Sequence, residues 1–143
     1  MFAIVERLLE EWPDLSEVGS GQTFGVIAAA ERELAAHFPA SFKQYLLRWG
    51  HLSFGPTEYF GLGSKVNDVV SRTKRIRDVH RLPSQFVVLS DHDGDEYVCL
   101  DTSTTVGEEC AVVIWEPSSR SISRPRATNF EEFLSTDMEA FVD

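Results

Sequence analysis

Three carboxylates stand at alternate positions in Asp91-x-Asp93-x-Asp95, Glu96 follows them directly, and Asp101 lies further along. Acidic side chains at this spacing are the residue types that hold a hard divalent cation. A calcium loop would want Gly where Glu96 stands and Glu where Thr102 stands, and neither is present. Mg²⁺-assisted phosphoryl chemistry needs carboxylates that converge on one ion, with a base or a phosphate cradle beside them. Gly61-x-Gly63 lacks the further glycine of a dinucleotide loop and the Lys of a P-loop. His37, His51, His80 and His92 have no ligand spacing with one another or with Cys99 and Cys110. No Gly-x-Ser-x-Gly elbow occurs. The expectation is a protein that is not an enzyme, holds no metal and uses no cofactor; a small metal-using hydrolase built on the acidic run is the reading from a different class. The Asp93-Gly94 step supplies the turn chemistry of a β-hairpin. Asp91, Asp93, Asp95, Glu96 and Asp101 then form an acidic hairpin suited to docking on a basic surface and steering its approach.

Charge distribution supports this direction. The 143-residue chain carries a formal net charge of −10, yet the segment from Lys65 to Arg81 holds six bases and two acids. The remainder therefore carries seven bases and 21 acids. Such a body repels nucleic acid and anionic lipid and favours a basic protein partner. The basic segment lacks interleaved aromatics for base stacking, so it reads as a solvated helix face or as a contact with acids elsewhere in the fold. Neither direct nucleic-acid binding nor membrane association is expected. The oligomeric expectation is a monomer or weak homodimer.

The elements that must hold the hairpin follow from periodicity. Phe2, Val5, Leu8, Leu9 and Trp12 predict a helix over 2–12, ended by Pro13. Leu15 to Thr23 reads as a loop. Ile27, Ala30, Glu31, Leu34 and Phe38 form a second helical stripe, with Glu31 either on its exposed flank or paired inside the fold. Pro39 suits the first turn of a third helix carrying Phe42, Tyr45, Leu46 and Trp49, and Gly50 suits a left-handed cap. Trp49, Tyr59 and Phe60 lie in or beside a glycine- and aromatic-rich stretch, either as core aromatics or as contact residues for a partner. Ser64 is placed to cap a helix with Val66, Val69, Val70, Thr73 and Ile76 inward.

Near Leu82 the period changes from helical to alternating. Gln85–Ser90, Glu96–Asp101 and Ala111–Glu116 read as strands, with an edge strand at Ser121–Arg124. Both alternating sets are apolar, which predicts strands covered on both faces. In the implied hairpin Cys99 falls opposite Val113 and Cys110 opposite Thr102, so the thiols do not meet and a disulfide is not expected. Asn129 with Glu132 is capping-box chemistry opening a last helix through Phe130, Phe133, Leu134 and Phe141. The fold class is α+β, a mostly antiparallel sheet with four to five helices, in one domain over 1–143. No apolar run approaches the roughly 18 residues of a membrane span. The start lacks the pattern of a signal peptide, so a cytoplasmic location is expected.

The order of landmarks resembles the SUKH superfamily, which unites fungal cell-wall-assembly regulators with many bacterial immunity proteins. Glu31, Leu34, Phe38, Pro39, Phe42, Leu46 and Gly50 are similar to its helix-Leu-Pro-helix-Asn-Gly signature. Phe38 stands where Leu is usual and Trp49 where Asn is usual. Gly94, Asp95, Tyr97, Leu100, Asp101 and Thr102 are similar to its Gly-Asp hairpin. Val112, Val113 and Trp115 resemble the next strand, and Phe130 to Leu134 the closing helix. The resemblance covers about 27–141. It implies an antiparallel sheet packed with helices, and a protein that neutralises a cognate secreted toxin, often a nuclease or deaminase, by binding it. The alternative that it implies is a regulatory or scaffolding module.

Overall fold

A computed structural model describes residues 1–143. The elements run α1 (Ala3–Glu11), a 3₁₀ turn (Pro13–Leu15), β1 (Ser16–Val18), α2 (Phe24–Leu34), α3 (Ala40–Arg48), β2 (Leu52–Phe54) and β3 (Thr57–Tyr59). Then come α4 (Val69–His80), β4 (Phe86–His92), β5 (Glu96–Val106), β6 (Glu109–Glu116), β7 (Ser121–Ala127) and α5 (Phe130–Val142). All strand pairs are antiparallel, in a three-stranded sheet ordered β1-β2-β3 and a four-stranded meander ordered β4-β5-β6-β7. This is the α+β class expected.

The corner between α2 and α3 is built from the side chains that the sequence singles out. Thr23 caps α2, its hydroxyl accepting from the Val26 N–H at 3.2 Å. Glu31 takes the inward alternative: its carboxylate accepts from the Phe38 N–H at 2.8 Å and lies 3.6 Å from Lys43 Nζ. Pro39 occupies the cap position itself, one residue before α3, and offers no side-chain acceptor. The acceptors come instead from the β5–β6 hairpin. The Glu108 carbonyl takes the Ala40 N–H at 2.8 Å, and the Glu109 carboxylate takes both the Ser41 N–H at 2.9 Å and its hydroxyl at 2.6 Å. A carboxylate at a helix N-terminus satisfies orphan donors and complements the helix dipole.

Gly50 closes α3 in the expected left-handed conformation, φ 75°. A Cβ there would sit 2.3 Å from the Ser20 carbonyl oxygen, and one on Gly61 would sit 1.8 Å from that of Gly50. Gly61 thus serves a close backbone crossing, while Gly63 adopts a positive φ of 88° against the Gln22 side chain. At the start of α5 the Asn129 side chain accepts from Glu132 N–H at 2.9 Å, while Glu132 reaches back to Thr128 N–H at 3.0 Å. The capping box is present, shifted by one residue on its return bond.

Tyr45 joins the halves. Its ring is fully buried beside Phe42, Trp49 and Phe130. Its hydroxyl accepts from Leu52 N–H at 3.2 Å and donates to the Tyr59 carbonyl at 2.9 Å, so one side chain binds α3 to β2 and β3. Burial pushes the phenol far above its usual pKa, which keeps it neutral and able to do both. From the end of β3 the Phe60 N–H donates to the Leu89 carbonyl at 2.8 Å. That acceptor is free because β4 shifts register between Val88 and Ser90, leaving Leu89 without a partner on β5.

Three expectations are corrected. The stretch after Leu15 contains β1, a three-residue strand whose Ser-Glu-Val sequence has no alternating signature and which exists by pairing with β2. The fourth helix starts at Val69 with Asp68 as its cap, accepting from Ser71 N–H at 2.8 Å; Ser64 only turns the chain, and Val66 is exposed. Cys99 lies opposite Val113 as expected, but Cys110 pairs with Thr105 instead of Thr102. Both thiols are free and buried; desolvation raises both, that of Cys110 to about 12.

Replacing Tyr45 by Phe strands the Leu52 N–H and the Tyr59 carbonyl in the core. The expected loss is about 1–3 kcal/mol of stability, read as a lower urea midpoint at unchanged slope. An unaltered midpoint would mean that the hydroxyl ties nothing together.

Candidate functional site: an acidic hairpin beside a basic helix

The β4–β5 turn has the conformation that its Asp-Gly step predicts. Asp93 and Gly94 both adopt positive φ, 54° and 79°, the type I′ signature. The Asp91 carboxylate accepts from Gly94 N–H at 2.7 Å, and Asp95 N–H donates to the His92 carbonyl at 3.0 Å. The turn is therefore held from both sides, and Asp91, Asp93 and Asp95 project from a fixed backbone into solvent.

Across from it the β2–β3 turn and the start of α4 close a cleft of about 240 Å³, lined by Pro56, Glu58, Phe60, Arg72, Asp91 and Asp93. The Arg72 guanidinium lies over the Phe60 ring, 5.1 Å from its centroid, and its Nε–H donates to the Val66 carbonyl at 3.0 Å. None of Glu58, Asp91, Asp93 and Asp95 takes part in an ion pair. Three carboxylates outside any ion pair, those of Glu58, Asp91 and Asp93, thus share the cleft with one guanidinium that is already engaged. Arg75 and Asp91 line a second hollow with His80 and Tyr97. The acidic tip consequently has a basic flank along α4.

Glu96 differs from the other acids. It binds the Arg124 guanidinium of β7 through two hydrogen bonds, 2.7 and 3.3 Å. That bond holds its carboxyl below the usual carboxylate range and raises the arginine in turn. Its charge is met within the chain.

Four of the sequence candidates are corrected by burial. Asp101 is 5% exposed. Its carboxylate accepts from Ser103 N–H at 3.1 Å and Ser103 hydroxyl at 2.6 Å, and this local bonding makes the irregularity that moves Cys110 onto Thr105. Trp49 is 7% exposed, edge-on to Phe2 with the Arg48 guanidinium on its face. Tyr59 and Phe60 are each 2% exposed. The Tyr59 hydroxyl donates to Asp137 at 2.5 Å, and Asp137 is also paired with Arg126 at 3.3 Å. All four are buried and offer a partner little surface, and of them only Phe60 lines the cleft beside the hairpin.

Glu58 is the acid that sequence reasoning missed. It is a lone carboxylate in a short strand, and only the approach of the β2–β3 turn to the hairpin gives it a role. The basic run of α4 is partly spent inside the fold: Lys74 pairs with Glu33 at 2.9 Å, and Arg77 donates to the Leu34 and Ser84 carbonyls at 2.9 and 2.6 Å. No group of three His, Cys, Asp or Glu residues is arranged to hold a metal ion. No helix is long and apolar enough to cross a membrane.

The Glu96 shift has a definite sign. A carboxyl whose folded value is depressed contributes stability above its unfolded value, about 4.3, and loses it as pH falls through the folded value. An NMR titration should place the Glu96 midpoint below that of a free glutamate, and Arg124→Gln should return it to the ordinary range. A midpoint indifferent to Arg124 would contradict the pairing.

A family model described as SUKH_5, SMI1-KNR4 cell-wall, matches residues 1–139 of this chain. Among solved structures, the crystal structure of a protein from Pseudomonas syringae pv. tomato is 17% identical to it. The TM-score is 0.60, with 78% of this chain and 83% of that chain covered. At this identity the likeness speaks for the fold alone. The match across nearly the whole chain shows that it belongs to the SUKH family, whose membership supports a binding or immunity-type module in general terms.

Proposed function

We propose that this SUKH-family chain is a non-catalytic immunity protein, acting in the cytoplasm, that neutralises a cognate secreted toxin of nuclease or deaminase type. The acidic hairpin covers the basic surface with which such a toxin grips its substrate, and so excludes the substrate by bulk and by charge. The observation that carries this reading is the set of exposed carboxylates Asp91, Asp93 and Asp95, none in an ion pair, on a type I′ turn pinned by Asp91 itself, with Glu58 across the cleft. A fixed acidic projection loses little conformational freedom on docking, and its field accelerates encounter with a basic partner. Glu96 belongs to the support of this surface, since its charge is already matched by Arg124.

The second reading is a regulatory or scaffolding module with an envelope-assembly partner, favoured by the cell-wall description of the matching family. A gene beside this one that encodes a large secreted protein with a toxic C-terminal domain would separate the two in favour of immunity.

The double variant Asp93→Lys, Asp95→Lys reverses two exposed charges and breaks no side-chain bond within the turn. Co-expressed with its cognate toxin domain, it should protect cells poorly, and its association rate should fall by about ten- to a hundredfold at low salt. Undiminished protection and an unchanged rate would remove the hairpin from the mechanism.

A further inference from the structure

The end of β5 remote from the acidic hairpin carries a second surface of different chemistry. Along the paired eight-residue β6, the two turns of β5 lie roughly 25 Å apart, because Thr102–Thr104 of β5 bulge out of the ladder. At this far end a groove of about 410 Å³ opens between the first turn of α2, the α2–α3 corner, α3 and the β5–β6 hairpin. Its apolar lining includes Phe24, Pro39, Leu47 and Cys110. The hairpin wall is no loose flap, because Glu108 and Glu109 are bonded to Ala40 and Ser41 at the N-terminus of α3.

Beside this hollow two apolar side chains stand in solvent. Phe24, the first residue of α2, is 77% exposed, and Val106, at the hairpin tip, is 82% exposed. The patch therefore contains both projections and a cavity able to receive them. Of the charged groups that line it, Glu109 is spent on Ser41, which leaves Lys43 on the helix wall and Glu108 on the hairpin wall as a cation and an anion available to a partner. Glu108 is in no ion pair, and Lys43 has only a loose contact, 3.6 Å, with Glu31.

A patch that holds a knob, its hole, a cation and an anion is self-complementary under a two-fold rotation, the condition for an isologous contact. We infer that the groove is occupied by a second copy of this chain. Phe24 and Val106 of each copy enter the groove of the other, and Lys43 of each meets Glu108 of the other. Repulsion between two bodies of charge −10 opposes the pairing at low ionic strength and is screened at higher salt. Since the groove lies at the opposite end of β5, the dimer leaves both acidic hairpins free, and the inference stands or falls independently of the toxin partner.

Sedimentation equilibrium of the full chain in about 0.5 M salt, up to about 0.5 mM protein, should show a reversible monomer–dimer equilibrium. Phe24→Glu and Val106→Glu, at exposed positions checked for folding by circular dichroism, should each weaken it about tenfold or more. Lys43→Glu and Glu108→Lys should each weaken it alone, and the double exchange should restore it, a rescue that only the crossed pair explains. Asp93→Lys with Asp95→Lys should leave it unchanged. A monomer at every concentration, which would leave the groove to a different occupant, or a dimer indifferent to Phe24 and to the charge exchange, overturns the inference.

Discussion

One buried hydroxyl sets the position of the strands that carry the acidic cleft. Tyr45 brings its phenol from α3 into the core, where the backbone of β2 offers a donor and that of β3 an acceptor. Leaving either group unpaired there is costly, so the spacing of α3 and the small sheet is defined by that side chain. The end of β3 then engages Leu89 at the bulge of β4, and β4 leads directly into the acidic turn. The cleft between Glu58 and the hairpin is therefore a consequence of interior bonding, with Phe60 and Tyr59 as its foundation.

The parts of the fold legible in the sequence are those governed by local chemistry. An Asp-Gly step encodes a type I′ turn because both central residues must take positive φ. Gly50 encodes the end of α3 for the same reason, and Asn129 encodes the start of α5 through its own side-chain acceptor. What was not legible depends on partners distant in sequence. Ser16–Val18 becomes a strand only because β2 lies beside it, and the N-terminus of α3 is capped by a glutamate 68 residues away in the chain. Asp101 misled for a related reason. Its type and its neighbourhood in sequence matched the other acids, yet its side chain is buried and bonded to Ser103.

The candidate surface was legible to the same degree. Asp91, Asp93 and Asp95 stand on the hairpin where the pattern placed them. Glu96 is matched by an arginine from a strand that the acidic motif does not predict. The aromatic candidates take the core alternative, because a glycine-rich stretch can signal tight packing as readily as an exposed loop. Here Gly50 and Gly61 bring backbones into contact, and the neighbouring rings fill the space around them. Charge is consequently segregated: free acids at one end of β5, a partly spent basic helix beside them, and an apolar groove at the far end.

The central claim is that a basic protein surface is held by the Asp91–Asp95 turn. The most direct measurement is amide hydrogen exchange on this chain, free and bound to a basic toxin domain against which it protects cells. The account predicts slowed exchange in the β4–β5 turn and in the β2–β3 turn around Glu58, with the interior of α3 unaffected. A complex that forms with those two turns exchanging as in the free protein, and with protection elsewhere, would contradict it.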